Sequence, residues 1–94
     1  MSGTTQAIRV ELGRVLATPG GMERITPTER NIALNRHRNG DWGDVSVEDW
    51  QSNDWAFMRN GRLFSVYHAI DGTKFWIITE ADRSVTTILL PEEY

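Results

Sequence analysis

The amino-acid sequence predicts a single α+β domain over residues 1–94, with one four-stranded sheet and helices on one face of that sheet. Two observations support this fold class. Residues 62–90 alternate β-branched and aromatic residues around two turn signals, which is typical of a three-stranded antiparallel meander. Upstream of them, an alternating segment indicates an N-terminal strand. Two Thr-Pro pairs and one serine then each precede a helical pattern, which indicates two to three short helices.

The register of the predicted meander follows from its two turns. Asp71-Gly72 favours a two-residue type I′ turn that pairs Tyr67 with Trp76, and the next turn pairs Ile77 with Ile88. Alternation then assigns the side chains to two faces. The face predicted to form the core carries Phe64, Val66, His68, Ile70, Phe75, Ile77, Thr79, Thr86, Ile88 and Leu90. The opposite face carries Leu63, Ser65, Tyr67, Ala69, Lys74, Trp76, Ile78, Glu80, Val85, Thr87 and Leu89.

The opposite face of the predicted sheet is too apolar for an ordinary solvated surface. Tyr67, Trp76 and Ile78 lie on it together with further aliphatic side chains. Large exposed apolar patches usually mark an interface. Either a partner protein or a second copy of the chain covers this face, or the N-terminal segment of the same chain folds across it.

The first half of the chain is predicted to supply the first strand and the helices. Residues 7–12 alternate as a half-buried strand, Gly13 interrupts the alternation in the manner of a β-bulge, and residues 15–17 resume it out of phase. Residues 1–6 are expected to be flexible. The predicted helices are capped by Thr18, Thr26 and Ser46 and end near Arg24, Arg38 and Asn60.

The glycines at the start of the first helix admit two interpretations. Pro19-Gly20-Gly21 is either a simple corner between strand and helix or a backbone nest that binds an anion. The segment lacks the spacing of a Walker loop or a dinucleotide fingerprint, so the corner is favoured.

Composition limits the classes of function. The chain has no cysteine, which excludes a disulfide framework and thiolate metal sites. Its net charge of −3 is uneven, because residues 39–58 contain five acids and no base. Nucleic-acid binding usually needs a basic face and is therefore not favoured. No apolar run approaches the roughly 20 residues of a membrane span, and we expect a cytoplasmic protein of bacterial type without membrane contact.

Few residues qualify as catalytic or metal-binding candidates. His68 lies among apolar residues, and an acid–base pair would need Asp54 or Glu80 beside it. Asp54 interrupts the apolar stripe of the third helix and needs a partner, such as Arg62 or a tryptophan N–H. The acids between 41 and 54 lack the spacing of a calcium loop. We therefore predict no catalytic constellation, no metal site and no cofactor.

Several strings resemble motifs of the small "plasmid-related" hypothetical proteins of bacterial plasmids and integrative elements. These strings are Phe75 to Ser84, Thr86-Thr87, Leu89 to Tyr94, Leu16 to Gly20 and Gly40 to Asp44. The resemblance covers nearly the whole chain from about Leu12 onwards. It implies cargo of a mobile genetic element, for which an accessory or counter-defence role is expected.

The first functional hypothesis is a non-enzymatic interaction protein that docks a partner protein through a preformed surface. The predicted binding residues are Trp76, Tyr67 and Ile78 on the sheet, with Asp41, Trp42 and Asp44 as a second candidate. Aromatic side chains are good interface anchors. In one variant of this hypothesis, the carboxylates of segment 41–54 imitate nucleic-acid phosphates and block a channel that binds nucleic acid.

The alternative hypothesis is an enzyme. The predicted order β-α-α-β-β-β is similar to that of the small RelE/ParE-type toxins, several of which cleave messenger RNA at the ribosome. This similarity implies that Arg62, Tyr67, His68 and Arg83 would serve as the functional side chains. The negative net charge and the absence of a lysine and arginine cluster on the predicted sheet weigh against RNA binding.

Overall fold

The structure is a computed structural model that describes residues 8–94. Within this range it confirms the predicted α+β fold class, with one four-stranded sheet and three α-helices. The strands are β1 (Arg14–Ala17), β2 (Leu63–His68), β3 (Lys74–Thr79) and β4 (Val85–Leu89). The helices are α1 (Pro19–Arg24), α2 (Pro27–Arg38) and α3 (Val47–Met58), and a 3₁₀ turn (Pro91–Glu93) follows β4.

The sheet is mixed, because its first strand joins in parallel. The strand order is β1-β4-β3-β2, with β1 parallel to β4 and the other pairs antiparallel. Of the strand predicted over 7–12 and, beyond Gly13, over 15–17, only the second part is formed within the described residues, as β1. Gly13 has φ +63, so the chain turns there, and the apolar side chains before it pack into the core on the helix side. Residue 7 and the flexibility expected for 1–6 lie outside the described residues.

β2 pairs with β3 one residue out of the predicted register. Tyr67 pairs with Phe75 and not with Trp76, whereas the predicted pairing of Ile77 with Ile88 across β3 and β4 is confirmed. Because side chains alternate along a strand, this slip moves every β2 side chain to the other face. The face towards the helices therefore receives Leu63, Ser65 and Tyr67, and the face away from them receives Phe64, Val66 and His68.

The β2–β3 turn explains the slip. The amide of Ala69 donates to the carbonyl of Thr73 at 2.8 Å, which leaves a loop of three residues between them instead of two. In this loop only Gly72 has a positive φ, of +92. A type I′ turn needs positive φ at both central residues, so Asp71-Gly72 does not form one.

The helices begin where the sequence predicts, and two of them pack on one face of the sheet. Thr18, Thr26 and Ser46 each accept a hydrogen bond at a helix N-terminus, and Thr26 forms the predicted capping box with Glu29. The main core cluster joins the helix-side residues of the sheet to Ile25 after α1 and Ala33 of α2. None of the helices in residues 8–94 is long and apolar enough to cross a membrane.

A chain of hydrogen bonds crosses this core. His37 is fully buried, with its Nδ1 2.6 Å from the Ser65 hydroxyl and its Nε2 2.8 Å from the Thr79 hydroxyl. Thr79 lies 2.7 Å from Thr86, which donates to the carbonyl of Leu12 at 2.7 Å. Buried polar groups are costly unless they are paired, and each ring nitrogen and hydroxyl in this chain has a partner.

Candidate functional site

The sheet face that points away from α1 and α2 carries a layer of aromatic side chains. We call the group Arg62, Phe64, Trp76, Ile78 and Tyr94 the aromatic surface, and it lines a cleft of about 250 Å³. Trp76 lies between two other rings. It meets Phe64 and Tyr94 edge to face, with centroid distances of 4.8 and 5.7 Å. No residue of the described α-helices lines this cleft.

Arg62 and Tyr94 form the rim of the cleft. Arg62 donates to the Tyr94 hydroxyl at 2.8 Å, and its guanidinium lies 5.4 Å from the centroid of the same ring. The hydrogen bond to Tyr94 is the main reason that the pKa of Arg62 is raised. Glu80 lies 3.4 Å from Arg62 and balances its charge. The lining of the cleft is therefore mainly aromatic and carries little net charge.

Three aliphatic side chains share this sheet face with the rings. Val66, Ile78 and Leu89 are between 4 and 8 % exposed, although none of them belongs to the core clusters on the helix side. They lie on the same sheet face as Phe64 and Trp76. This face therefore carries buried aliphatic side chains as well as aromatic rings.

Of the three residues predicted on the sheet, the structure brings Trp76 and Ile78 together and separates Tyr67 from them. Tyr67 is 2 % exposed, packs against Phe75 on the helix side, and donates to the carbonyl of Asp41 at 2.6 Å. Burial raises the pKa of Tyr67. The predicted position of Tyr67 was wrong because it depended on the two-residue turn, and Phe64 takes its place beside Trp76.

The N-terminal segment does not cover the aromatic surface within the described residues. Val10 and Leu12 pack on the helix side with Leu63, which corrects the alternative that this segment crosses the opposite face. Tyr94 reaches the surface instead and was missed by the sequence reasoning. The available signal was an aromatic residue three positions after Pro91.

The second predicted candidate, Asp41-Trp42-Asp44, does not form an exposed aromatic site. Trp42 is fully buried and its indole N–H donates to Asp54 at 2.9 Å, which supplies the partner that this carboxylate needs. Asp41 accepts a hydrogen bond from Arg36 at 2.7 Å, and this bond lowers the pKa of Asp41. Two carboxylates of the acidic segment are therefore already engaged within the chain.

The residues implied by the toxin similarity are not brought together. His68, predicted in the core, lies on the opposite face with its Nδ1 3.8 Å from Asp44, and neither Asp54 nor Glu80 takes that position. Arg83 lies in the β3–β4 turn and donates to four backbone carbonyls. Two of them belong to Ala56, near the end of α3, and to Gly61, just after that helix. Desolvation lowers the pKa of Arg83. A guanidinium held in this way links the turn to α3.

The nest suggested at the start of α1 is filled by an anion from within the chain. The carboxylate of Glu93 accepts from the Thr18 hydroxyl at 2.5 Å and from the amides of Gly20 and Leu90 at 2.8 and 2.9 Å. The hydrogen bond from Thr18, followed by that from Leu90, lowers the pKa of Glu93. Because Tyr94 is the next residue, the same contact positions part of the aromatic surface.

No three histidine, aspartate or glutamate side chains in residues 8–94 are grouped to hold a metal ion. Comparisons with protein-family models, with curated proteins and with solved structures return no match to this chain.

Proposed function

We propose that this chain is a non-enzymatic protein-binding module that docks a partner protein on the aromatic surface. The observation that carries the proposal is the position of Trp76, at the centre of three rings in a cleft that none of the described α-helices lines. Aromatic side chains near the centre of an apolar patch are typical anchors of protein interfaces.

The aromatic surface is arranged before a partner binds. Trp76 is held between two rings, and Arg62 holds Tyr94 through a hydrogen bond. Immobilising a side chain at an interface costs roughly 0.5–1.5 kcal/mol, so rings that are already ordered avoid part of this cost. Docking on this face therefore needs little rearrangement.

The charge around the cleft favours a protein partner over a nucleic acid. Single-stranded nucleic acids also stack on aromatic platforms, but such platforms lie in positively charged grooves that follow the phosphates. Here Arg62 is balanced by Glu80, and the whole chain has a net charge of −3. The fitting partner is a protein that inserts an aliphatic or aromatic side chain between the rings.

The geometry lends less support to the ribonuclease alternative. Such a site needs basic and proton-transferring side chains within reach of one phosphate. Tyr67 is instead buried in the core, and Arg83 is engaged by backbone carbonyls. The accessory role on a mobile element, implied by the family resemblance, stays a prediction, and docking is the mode of action that we assign to it.

Paired tryptophan variants test the proposal. Trp76→Asp places a charge in the centre of the cleft, and Trp55→Asp makes the same change on α3, where Trp55 is 59 % exposed and lies under Arg59. The wild-type chain and the Trp55→Asp variant should capture the same proteins from a bacterial lysate, and Trp76→Asp should lose them. Equal capture by all three chains would refute docking on the aromatic surface.

A second variant separates a loss of binding from a loss of the fold. Tyr94 is 68 % exposed, so Tyr94→Ala alters the rim with little effect on the core. We expect this variant to unfold at nearly the wild-type temperature and to bind the captured protein about tenfold more weakly, a loss of about 1.4 kcal/mol, which is smaller than that at an interface hot spot and fits a rim residue. Unchanged affinity would exclude the rim from the docking site.

A further inference from the structure

The two edge strands of the sheet differ in whether their outward backbone groups have hydrogen-bond partners. At the β2 edge, the side-chain amide of Asn53 both donates to the carbonyl and accepts from the amide of Phe64, at 2.7 and 3.1 Å. The amide of Val66 donates to the carbonyl of Trp42, and its carbonyl accepts from the amide of Asp44. The outward backbone groups of Phe64 and Val66 are therefore paired, which hinders the addition of another strand there.

The β1 edge lacks this protection among the described residues. The amides of Arg14 and Thr18 point inwards and donate to the carbonyls of Ser84 and Ile88 at 2.9 and 3.0 Å. Alternation therefore directs the backbone groups of Val15 and Ala17 outwards. No residue in 8–94 forms a backbone hydrogen bond with these outward groups. Val15 and Leu16 are 44 and 43 % exposed. An open edge with apolar side chains is a template for pairing with another strand.

We propose that a second copy of this chain pairs with β1, in antiparallel orientation about a two-fold axis at Leu16. In this register Val15 of one copy lies opposite Ala17 of the other. The two outward amides and two outward carbonyls of each copy then form hydrogen bonds with those of the other copy. Leu16 then faces Leu16 of the second copy as a close, non-hydrogen-bonded pair. The interface is isologous, as in most dimers.

The backbone on either side of β1 selects this register. Gly13 has a left-handed φ of +63, so the extended strand cannot be prolonged in that direction. Thr18, at the other end, is still extended with ψ 166. The extended residues run from Arg14 to Thr18, and Leu16 is their midpoint. Pairing centred on Val15 would require an extended residue at position 13.

Charge complementarity favours a second copy as the occupant. Arg14 lies across from Thr18 of the second copy, and the hydroxyl of Thr18 is bonded to the carboxylate of Glu93. Arg14 is exposed and forms no ion pair with any carboxylate in the described part of the chain. The symmetric arrangement places one arginine near one carboxylate at each end of the paired strands, which opposite charges stabilise.

Dimerisation by this edge leaves the aromatic surface free. A two-fold axis perpendicular to the sheet keeps the two equivalent faces on the same side of a continuous eight-stranded sheet, so the two clefts point in one direction. The proposal is therefore independent of what docks on the clefts. Because the paired strands are only four residues long, we expect a weak dimer with a micromolar dissociation constant.

Cysteine cross-linking tests the register directly, since the chain contains no cysteine. Non-hydrogen-bonded antiparallel pairs have a Cα separation of about 4.5 Å, which lies within the range of a disulfide. Leu16→Cys should therefore form a disulfide-linked dimer on mild oxidation. Val15→Cys is the matched control, and it should link much more slowly because its cross-strand neighbour is Ala17. Equally fast linking of both variants would overturn the register.

The mass in solution tests the edge itself and separates it from the aromatic surface. Light scattering should show the wild-type chain as a dimer at high concentration, and Leu16→Lys should raise the dissociation constant by about tenfold or more, since like charges would meet at the axis. Ile32→Lys, a lysine substitution on the exposed side of α2, and Trp76→Asp should both leave the dimer intact. A monomeric wild-type chain, or a dimer broken by Trp76→Asp and not by Leu16→Lys, would overturn the proposal.

Discussion

Acidification should destabilise this protein through His37 before its carboxylates take up protons. The hydrogen bonds around His37 have only one consistent direction. The carbonyl of Leu12 can only accept, so Thr86 donates to it, Thr79 donates to Thr86, and Nε2–H of His37 donates to Thr79. In the neutral imidazole, Nδ1 is then unprotonated and accepts from the Ser65 hydroxyl. The network therefore places the proton of the neutral imidazole on Nε2.

The magnitude follows from the pKa of this imidazole. Burial, with a smaller contribution from the charge of Arg83, lowers the pKa of His37 from its ordinary 6.5 to about 4. Between these values the unfolded chain binds the proton and the folded chain does not, so stability is lost as the pH falls from 6.5 towards 4. At about 1.4 kcal/mol per pKa unit, the full loss is about 3 kcal/mol, of which about 2 kcal/mol is lost by about pH 5.

Urea unfolding at about pH 7.5 and about pH 5 measures this loss as a difference in the free energy of unfolding. Carboxylates whose pKa is lowered in the folded state change the free energy of unfolding only below their ordinary pKa, and therefore below this range of pH. His37→Gln removes the titrating group, so its free energy of unfolding should differ little between the two pH values. His68→Gln, at the exposed histidine, should behave as the wild-type chain does. Equal wild-type stability at both pH values would refute the reasoning, and a loss that persists in His37→Gln would refute the assignment to His37.

Two further predictions concern the connections around the sheet. Gly43 has φ +78 and an added Cβ would overlap the carbonyl oxygen of Val66, so Gly43→Ala should lower the free energy of unfolding by about 3 kcal/mol or more. Gly72 has φ +92 with open space around it, so the matched Gly72→Ala should cost only about 1–2 kcal/mol, and equal losses in urea unfolding would contradict the steric argument. Arg83→Met keeps the aliphatic stem but removes the guanidinium donor from four carbonyls, of which those of Ala56 and Glu80 keep a backbone donor, and it should cost about 1–3 kcal/mol in the same assay. Unchanged stability would mean that water replaces the guanidinium.

Short-range chemistry made the helices predictable. A capping side chain and its target amide are three residues apart, so Thr26 and Glu29 identify a helix start from sequence alone. The same holds for the turn between β3 and β4, whose predicted pairing of Ile77 with Ile88 is confirmed. Trp76 and Ile78 could be assigned to one face for this reason, because alternation along β3 needs no information from elsewhere.

Features that depend on one loop residue or on distant contacts could not be predicted in this way. Asp71-Gly72 is compatible with a two-residue and with a three-residue loop, and the choice between them decides which β2 side chains face the helices. The exchange of Tyr67 for Phe64 in the aromatic surface follows from that choice. The position of Tyr94 depends on the contact of Glu93 with Thr18, which is 75 residues away in the chain and follows no local rule.

The contact between Glu93 and the start of α1 should control the aromatic surface, because Glu93 and Tyr94 are consecutive. Three donors hold the carboxylate, and Tyr94 then lies against the ring of Trp76. Hydrogen bonds to a carboxylate are about twice as strong as neutral ones, so Glu93→Gln should loosen the segment 91–94 without removing a core residue.

Loosening of this segment would change the surroundings of the Trp76 indole. We expect Glu93→Gln to shift the indole N–H resonance of Trp76 in a proton–nitrogen correlation spectrum, in the same direction as Tyr94→Ala does. The indole of Trp55 on α3 is the internal reference and should stay unchanged. If Tyr94→Ala shifts the Trp76 resonance and Glu93→Gln does not, then Arg62 alone holds Tyr94 in place, and the start of α1 has no influence on the aromatic surface.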